Sequence, residues 1–269
     1  MILGIDLGSS AVKLAAVENG ELVHEAYCYN REGPAEKSAL DFIRRYGIKP
    51  EGAVLTGVGS SVFDTSKLGL DAKFKTVPEI EAVAEGAAIL TGLDTNLTVS
   101  IGTGTAFVLC RDGERKHIGG SAFGGGTMEA LSRKILGEGA HHSRVRDLAA
   151  KGDVHNIDLF LSELPSFPPT LSAHTTAANL VKANENTRDE DWAIGILNMV
   201  LMTLGSMTYL ASLGLGVDDF VFIGGPTTID GAQGVMERLQ ATYTTKRFII
   251  APNAKFATAI GAAHLFYDN

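Results

Sequence analysis

Cysteine is scarce in this chain, basic charge is outnumbered, and two common nucleotide signatures are missing. Cys28 and Cys110 are the two cysteines among 269 residues. They form no C-x-x-C and no zinc spacing, so a disulfide framework is excluded. The expectation is two reduced thiols in a cytoplasmic protein. Lysine and arginine number 23 against 31 acidic residues, a net charge of −8. That balance argues against non-specific binding to nucleic acid or to an anionic membrane. The pattern G-x-x-x-x-G-K-[ST] is absent, and no G-x-G-x-x-G follows a strand, which sets aside Walker-type kinases and Rossmann dehydrogenases. No basic segment leads into an apolar one at the start, where Asp6 interrupts the first apolar run, so no signal peptide is expected.

One run lacks charge altogether. Trp192 to Val217 is long enough to span a bilayer. Asn198, Thr203, Ser206, Thr208 and Ser212 punctuate it, and its flank is acidic (Asp189, Glu190, Asp191) rather than basic. The pattern predicts a long helix buried against a sheet or a partner.

What is present is a repeated theme. Ile2-Leu3-Gly4-Ile5-Asp6-Leu7-Gly8-Ser9-Ser10 is an apolar strand that breaks into small residues and hydroxyls, with Lys13 just beyond. Thr98-Val99-Ser100-Ile101-Gly102-Thr103-Gly104-Thr105 does the same. Small residues let backbone N–H groups approach a phosphate, and hydroxyls add donors. Two such loops far apart in sequence suggest two jaws on one polyphosphate.

The pass along the chain predicts strands at 2–5, 11–18, 22–29, 52–56, 98–101, 106–110 and 220–223. Helices are predicted at 35–46, at 79–90 behind Pro78, from near Thr127, at 192–217 and at 256–266. A polar, irregular region is expected over about 138–190. These elements predict an α/β protein with a duplicated, two-lobe architecture and a cleft between the lobes. The lobes are expected at 1–95 and 96–269, the latter carrying the 138–190 insert.

In this order the motifs resemble those of the acetate/sugar kinase–Hsp70–actin superfamily, and within it type II pantothenate kinases. The matching stretches are Ile5 to Lys13, Glu79 to Gly86, Gly102 to Thr105, Ile118-Gly119-Gly120 with Gly124-Gly125-Gly126, Gly152-Asp153 with Asn156-Ile157-Asp158-Leu159, Thr176-Ala177-Ala178-Asn179, Val221 to Gly225, and Ala259 to Ala262. The resemblance implies a ribonuclease-H-like, actin-like ATPase fold, with ATP and Mg²⁺ as cofactors. It implies an alcohol acceptor, pantothenate, phosphorylated in the first step of coenzyme A synthesis. One position departs: where the family carries an arginine before the Gly-Gly step, this chain has His117 after Lys116. Histidine lacks the guanidinium fork, which leaves a pantetheine-like or sugar alcohol as an alternative acceptor.

Roles follow from chemistry and resemblance together. Asp6 is the candidate for orienting Mg²⁺ through water. Gly8, Ser9, Ser10 and Lys13 face the β- and γ-phosphates, and Gly102, Thr103 and Gly104 close from the other side. Gly125, Gly126 and Thr127 open a helix whose N–H groups suit an anion or a nucleoside wall. Gly225 belongs to the nucleoside-side turn. Glu79 is the candidate general base because it resembles the family's catalytic glutamate, and its place at a helix start favours the carboxylate form. His141, His142, His155 and His174 read as polar loop residues, with His141 a candidate near the nucleotide by resemblance. Lys116, His117, Ala177 and Ala178 are implied for the substrate side, the last two across a homodimer interface. A non-catalytic nucleotide- or CoA-binding regulator is the competing class; the presence of Glu79 argues against it.

Overall fold

In the computed structural model, residues 1–168 and 170–267 are described. The first five strands are β1 (Ile2–Leu7), β2 (Ala11–Glu18), β3 (Glu21–Tyr29), β4 (Gly52–Thr56) and β5 (Lys73–Thr76), with α1 (Ala35–Tyr46) between β3 and β4. They form one sheet in the order β3-β2-β1-β4-β5. Strand β1 pairs antiparallel with β2 and parallel with β4. Helix α2 (Glu79–Thr91) leads to β6 (Asn96–Ile101), β7 (Thr105–Arg111) and β8 (Glu114–Ser121). Then come α3 (Gly125–Leu136), α4 (His142–Ala149), β9 (Leu159–Phe160), β10 (Thr176–Ala178), α5 (Asp189–Ser212), β11 (Asp219–Gly224), α6 (Ala232–Thr242), β12 (Arg247–Ile250) and α7 (Ala257–His264). The second large sheet is β12-β11-β6-β7-β8, and β9 with β10 makes a small hairpin.

Local sequence explains the boundaries. Helix α1 begins after Pro34 and ends at Gly47, whose φ of 62° accommodates the left-handed turn that closes the helix. It buries Ala39, Phe42 and Ile43 against Leu3, Ile5 and Leu14, roughly 2 kcal/mol for each large side chain. Helix α2 starts after Pro78 and stops at Gly92 with φ 70°. The charge-free helix α5 is a core element, burying Ile196, Leu197, Val200, Leu201 and Leu204 beside β6 and β11. It ends at Ser212, short of the predicted 217, because Gly214 and Gly216 adopt φ of 84° and 63°.

The insert is less irregular than its composition predicts. It contains α4 and the β9–β10 hairpin, organised by two buried carboxylates. Asp158 accepts from Asn179 Nδ2 at 2.9 Å, Asn198 Nδ2 at 2.6 Å and the Leu180 backbone N–H at 2.7 Å. Asp191 accepts from the Asp153 N–H at 2.8 Å, Asn156 Nδ2 at 3.2 Å and Arg188 Nη2 at 2.9 Å. These bonds, Arg188 foremost, hold the Asp191 carboxyl down at about 2.

Between the sheets lie α2 and α7, and they are exchanged. Val83, Ala84 and Ala87 of α2 pack on Val108, Val221 and Ile223 of the second sheet. Ala262 and Ala263 of α7 pack with Ile2, Val17 and Val54 of the first. Glycine makes the contact this close: a Cβ on Gly86 would lie 2.0 Å from the Ala257 carbonyl oxygen, and one on Gly261 would lie 2.1 Å from that of Ala82. The chain leaves the first sheet after β5 and enters the second at β6; α2, made before that step, packs on the second sheet, and α7, at the far end of the chain, packs on the first.

Candidate active site

Strand β1 is buried along its whole length, and Asp6 is its one charged side chain. Pairing places Asp6 opposite Lys13, and Lys13 Nζ donates to Asp6 Oδ2 at 2.8 Å. The Gly8–Ser10 turn that follows is pinned at both ends. The Gly8 N–H donates to the Ala11 carbonyl at 3.1 Å, and Asn30 Nδ2 donates to the carbonyls of Gly8 at 3.0 Å and Ser9 at 2.9 Å.

The corresponding turn of the second lobe, Gly102–Gly104, is braced from behind by the start of α3. The N–H groups of Gly125 and Gly126 donate to the carbonyls of Gly102 and Thr103, both at 2.9 Å. A Cβ at Gly124 would sit 2.9 Å from the Gly104 carbonyl oxygen, and one at Gly125 2.8 Å from that of Gly102. The glycine run is there for close approach. The Gly125 and Gly126 N–H groups therefore support the second loop and do not point at an anion, the role expected of them from sequence.

The two loops meet. Thr103 Oγ1 lies 2.7 Å from Ser9 Oγ and 2.8 Å from Ser10 Oγ. Around this contact is a cavity of about 320 Å³, lined from both lobes. Asp6, Gly8, Ser9, Ser10, Lys13, Glu79, Gly102, Thr103, Gly104, Gly125, Gly126 and Gly225 all line it. Glu79 stands at the first residue of α2. Burial pushes its carboxyl above the ordinary range and the negative Asp6 adds to this, while Lys13 opposes it. Helix-start position alone predicts a readily ionised carboxylate; desolvation outweighs it.

Six other candidates lie elsewhere. The Thr127 hydroxyl donates back to the Ala122 carbonyl at 3.3 Å. His141 caps α4, with Nδ1 buried and without a partner. Its neighbour His142 is the one that lines the cavity, Nε2 at 3.1 Å from the Gly225 carbonyl oxygen. Burial pushes the His142 pKa down, so the ring is neutral near pH 7 and Nε2–H donates in the tautomer that fits. Lys116 and His117 are exposed on β8, and Ala177 and Ala178 lie on β10, none of them lining the cavity.

Several lining residues escaped the sequence reading. Tyr27 and Tyr29 alternate along β3 on the face shared with Lys13. Burial, chiefly, drives the Tyr27 phenol up to about 12. The signal was available: an alternating Glu25-Tyr27-Tyr29 face on a strand paired to the phosphate-loop strand. Lys255, just before α7, also lines the cavity, and nothing in its local sequence marks it. Among the described residues, no three His, Cys, Asp or Glu side chains gather as a metal site. A divalent ion here would rest on Asp6, nucleotide oxygens and water, which suits Mg²⁺, an ion that keeps much of its hydration.

A model of the Fumble family matches residues 95–246. The type II pantothenate kinase of Oceanobacillus iheyensis is 25% identical over 84% of this chain and 84% of its own length. That of Staphylococcus saprophyticus is 22% identical over 98% of this chain and 100% of its own. Among solved structures, component A of the (R)-2-hydroxyglutaryl-CoA dehydratase of Acidaminococcus fermentans aligns over 97% of this chain and 95% of its own. It has a TM-score of 0.65 and 21% identity. A ROK family glucokinase from Streptomyces griseus, solved with glucose and AMPPNP, aligns over 98% of each chain with a TM-score of 0.62 and 11% identity. The fold is the duplicated, two-lobe, actin-like α/β fold that the motifs implied.

Proposed function

This chain belongs to the Fumble family, and on that premise we propose that it is an ATP-dependent pantothenate kinase, transferring the γ-phosphoryl group to the primary hydroxyl of pantothenate. The observation that carries the reading is the meeting of Ser9 and Ser10 with Thr103 inside one cavity that also holds Lys13 and Glu79. Phosphoryl transfer needs positioning and charge neutralisation more than covalent chemistry. The hydroxyls of both lobes supply donors to the phosphates, and closing the lobes on them excludes water. Lys13 supplies a cation at the point where negative charge spreads in the transition state. Glu79 accepts the proton as the acceptor oxygen bonds to phosphorus and ADP leaves. Its raised pKa brings it nearer to working pH, where a general base is both ionised and basic enough.

We further propose Mg²⁺ as the resident ion, oriented through water by Asp6; when bound it neutralises charge on the phosphate oxygens. We also propose a homodimer in the cytoplasm. Ala177 is exposed on β10 and does not line this chain's cavity, which fits a strand that serves a partner's acceptor end. Sedimentation gives the assembly state directly, and a monomer at working concentration would overturn the dimer.

The deciding experiment is ADP release from ATP and Mg²⁺ with and without pantothenate, with pantetheine and glucose as parallel acceptors. Pantothenate-dependent turnover is expected. Turnover with glucose alone would move the chain to the sugar kinases, and none with any acceptor would leave the regulator reading.

A further inference from the structure

Strand register lays one row of side chains straight across the first sheet. Thr56 stands opposite Asp6, Asp6 opposite Lys13, and Lys13 opposite Tyr27. At the spacing of neighbouring strands, Tyr27 is roughly 10 Å from Asp6. Glu79, which begins the helix after β5, belongs to the opposite end of this row. The reacting end of the cleft is therefore at Asp6 and Glu79, and the Tyr27 edge is remote from it. That remote edge is also where the second lobe supplies a wall. His142 bonds the Gly225 carbonyl and lines the cavity together with Tyr29.

Lys255 stands at this edge. Its Nζ lies 4.0 Å from the centroid of the Tyr27 ring, and the side chain lines the cavity. Among the described residues it makes no ion pair, whereas Lys13 is held by Asp6. Glu25, two residues before Tyr27 on the same face of β3, is the acid whose charge acts on it, and Arg146 and Lys13 are the cations that do. A half-buried ammonium with an aromatic ring beneath it and no carboxylate bound is a cation waiting for an anion.

We infer that Lys255 binds the α-phosphate of the nucleotide, so that two lysines divide the triphosphate between them, Lys13 at the transferred end and Lys255 at the nucleoside end. This rests on the kinase reading above, and the test separates the two. Binding of adenosine, AMP, ADP and a non-hydrolysable ATP analogue is measured by titration calorimetry or by displacement. The unsubstituted protein is compared with Lys255→Met, Lys255→Gln, Lys255→Arg and Lys13→Met.

Removing the Lys255 charge weakens AMP, ADP and the ATP analogue by a common factor of at least about ten and leaves adenosine unchanged. Lys255→Arg keeps the affinity within a few-fold, and Lys13→Met weakens the ATP analogue far more than AMP. Unchanged binding of the ATP analogue by Lys255→Met and Lys255→Gln would overturn the assignment. So would a loss confined to the triphosphate, or one shared by adenosine, which would mark a packing role. An unsubstituted protein that binds no adenine nucleotide would overturn the kinase reading itself.

Discussion

The two large sheets are wired alike and loaded differently. In each, the first strand is central, pairs antiparallel with the second and parallel with the fourth, and the order is third-second-first-fourth-fifth. Each has three residues between its first two strands, Gly8–Ser10 in one and Gly102–Gly104 in the other. Each even has a register shift between its second and third strands. Yet the pair Asp6–Lys13 in the first sheet corresponds to Ser100–Ala106 in the second, which carries no charge. At the paired loops themselves, the first sheet holds the Asp6–Lys13 ion pair, and the second presents glycine, hydroxyl and backbone. Duplication gave two grips, and one of them became the reacting side.

The sharpest way to break this asymmetry is to compare Glu79→Gln with Thr103→Ala. Glu79→Gln lowers kcat by about 10²–10⁴ with nucleotide affinity retained. Thr103→Ala removes one hydroxyl shared by Ser9 and Ser10 and lowers kcat/KM by only about tenfold. Steady-state kinetics beside direct nucleotide binding read both. Equal losses would mean that the second lobe takes part in the chemistry.

The helix pair between the sheets comes next. Gly86→Ala forces a methyl onto the Ala257 carbonyl and costs about 1–3 kcal/mol or more. Gly119→Ala, where a Cβ meets nothing within 4 Å, is close to neutral. Denaturant midpoints at constant slope separate them.

The insert of the second lobe has its own charge to test. Asp191 is nearly fully buried, and its carboxyl is lowered from 3.8 to about 2. Its stabilisation is present above the unfolded value and lost as pH falls through the folded one. Asp191→Asn costs about 2 kcal/mol at neutral pH, and the difference closes between about pH 4 and pH 2, as thermal melts across that range will show.

The smallest effect is the inverse one. Glu79 has a raised pKa, so the folded protein bears a cost once the group ionises. Glu79→Gln should melt higher near pH 7, and that gain should vanish below the ordinary carboxylate pKa of 4.5. Kcat of the unsubstituted enzyme should fall on its acid side at a pH above that value.

The strands that carry the loops are legible in the sequence because their apolar runs are long and end in glycine and hydroxyl. Lys73–Thr76 was invisible, since Phe74 is its one apolar residue and its pairing to β4 is what makes it a strand. Arg247–Ile250 is apolar beyond its first residue but too short to show a strand period. Helix α4 reads as a charged loop because only Val145 and Ala149 are buried in eight residues. In the site, local motifs located Asp6, Lys13, Thr103 and Glu79. Tyr27, His142 and Lys255 come from three elements whose meeting depends on tertiary packing, and no short window of sequence contains that meeting.

The exchange of α2 and α7 also governs how this molecule comes off the ribosome. The opening sheet emerges first, but the helix that covers its inner face is made only after about 250 residues. Until then Ile2, Val17 and Val54 lack that cover, whereas α2 can meet Val108 of β7 soon after it is made and Val221 and Ile223 of β11 only later. The early half must wait, exposed and in need of shielding, for a contact as distant in sequence as the chain allows. Neither half, cut out alone, would own the pieces required to finish itself.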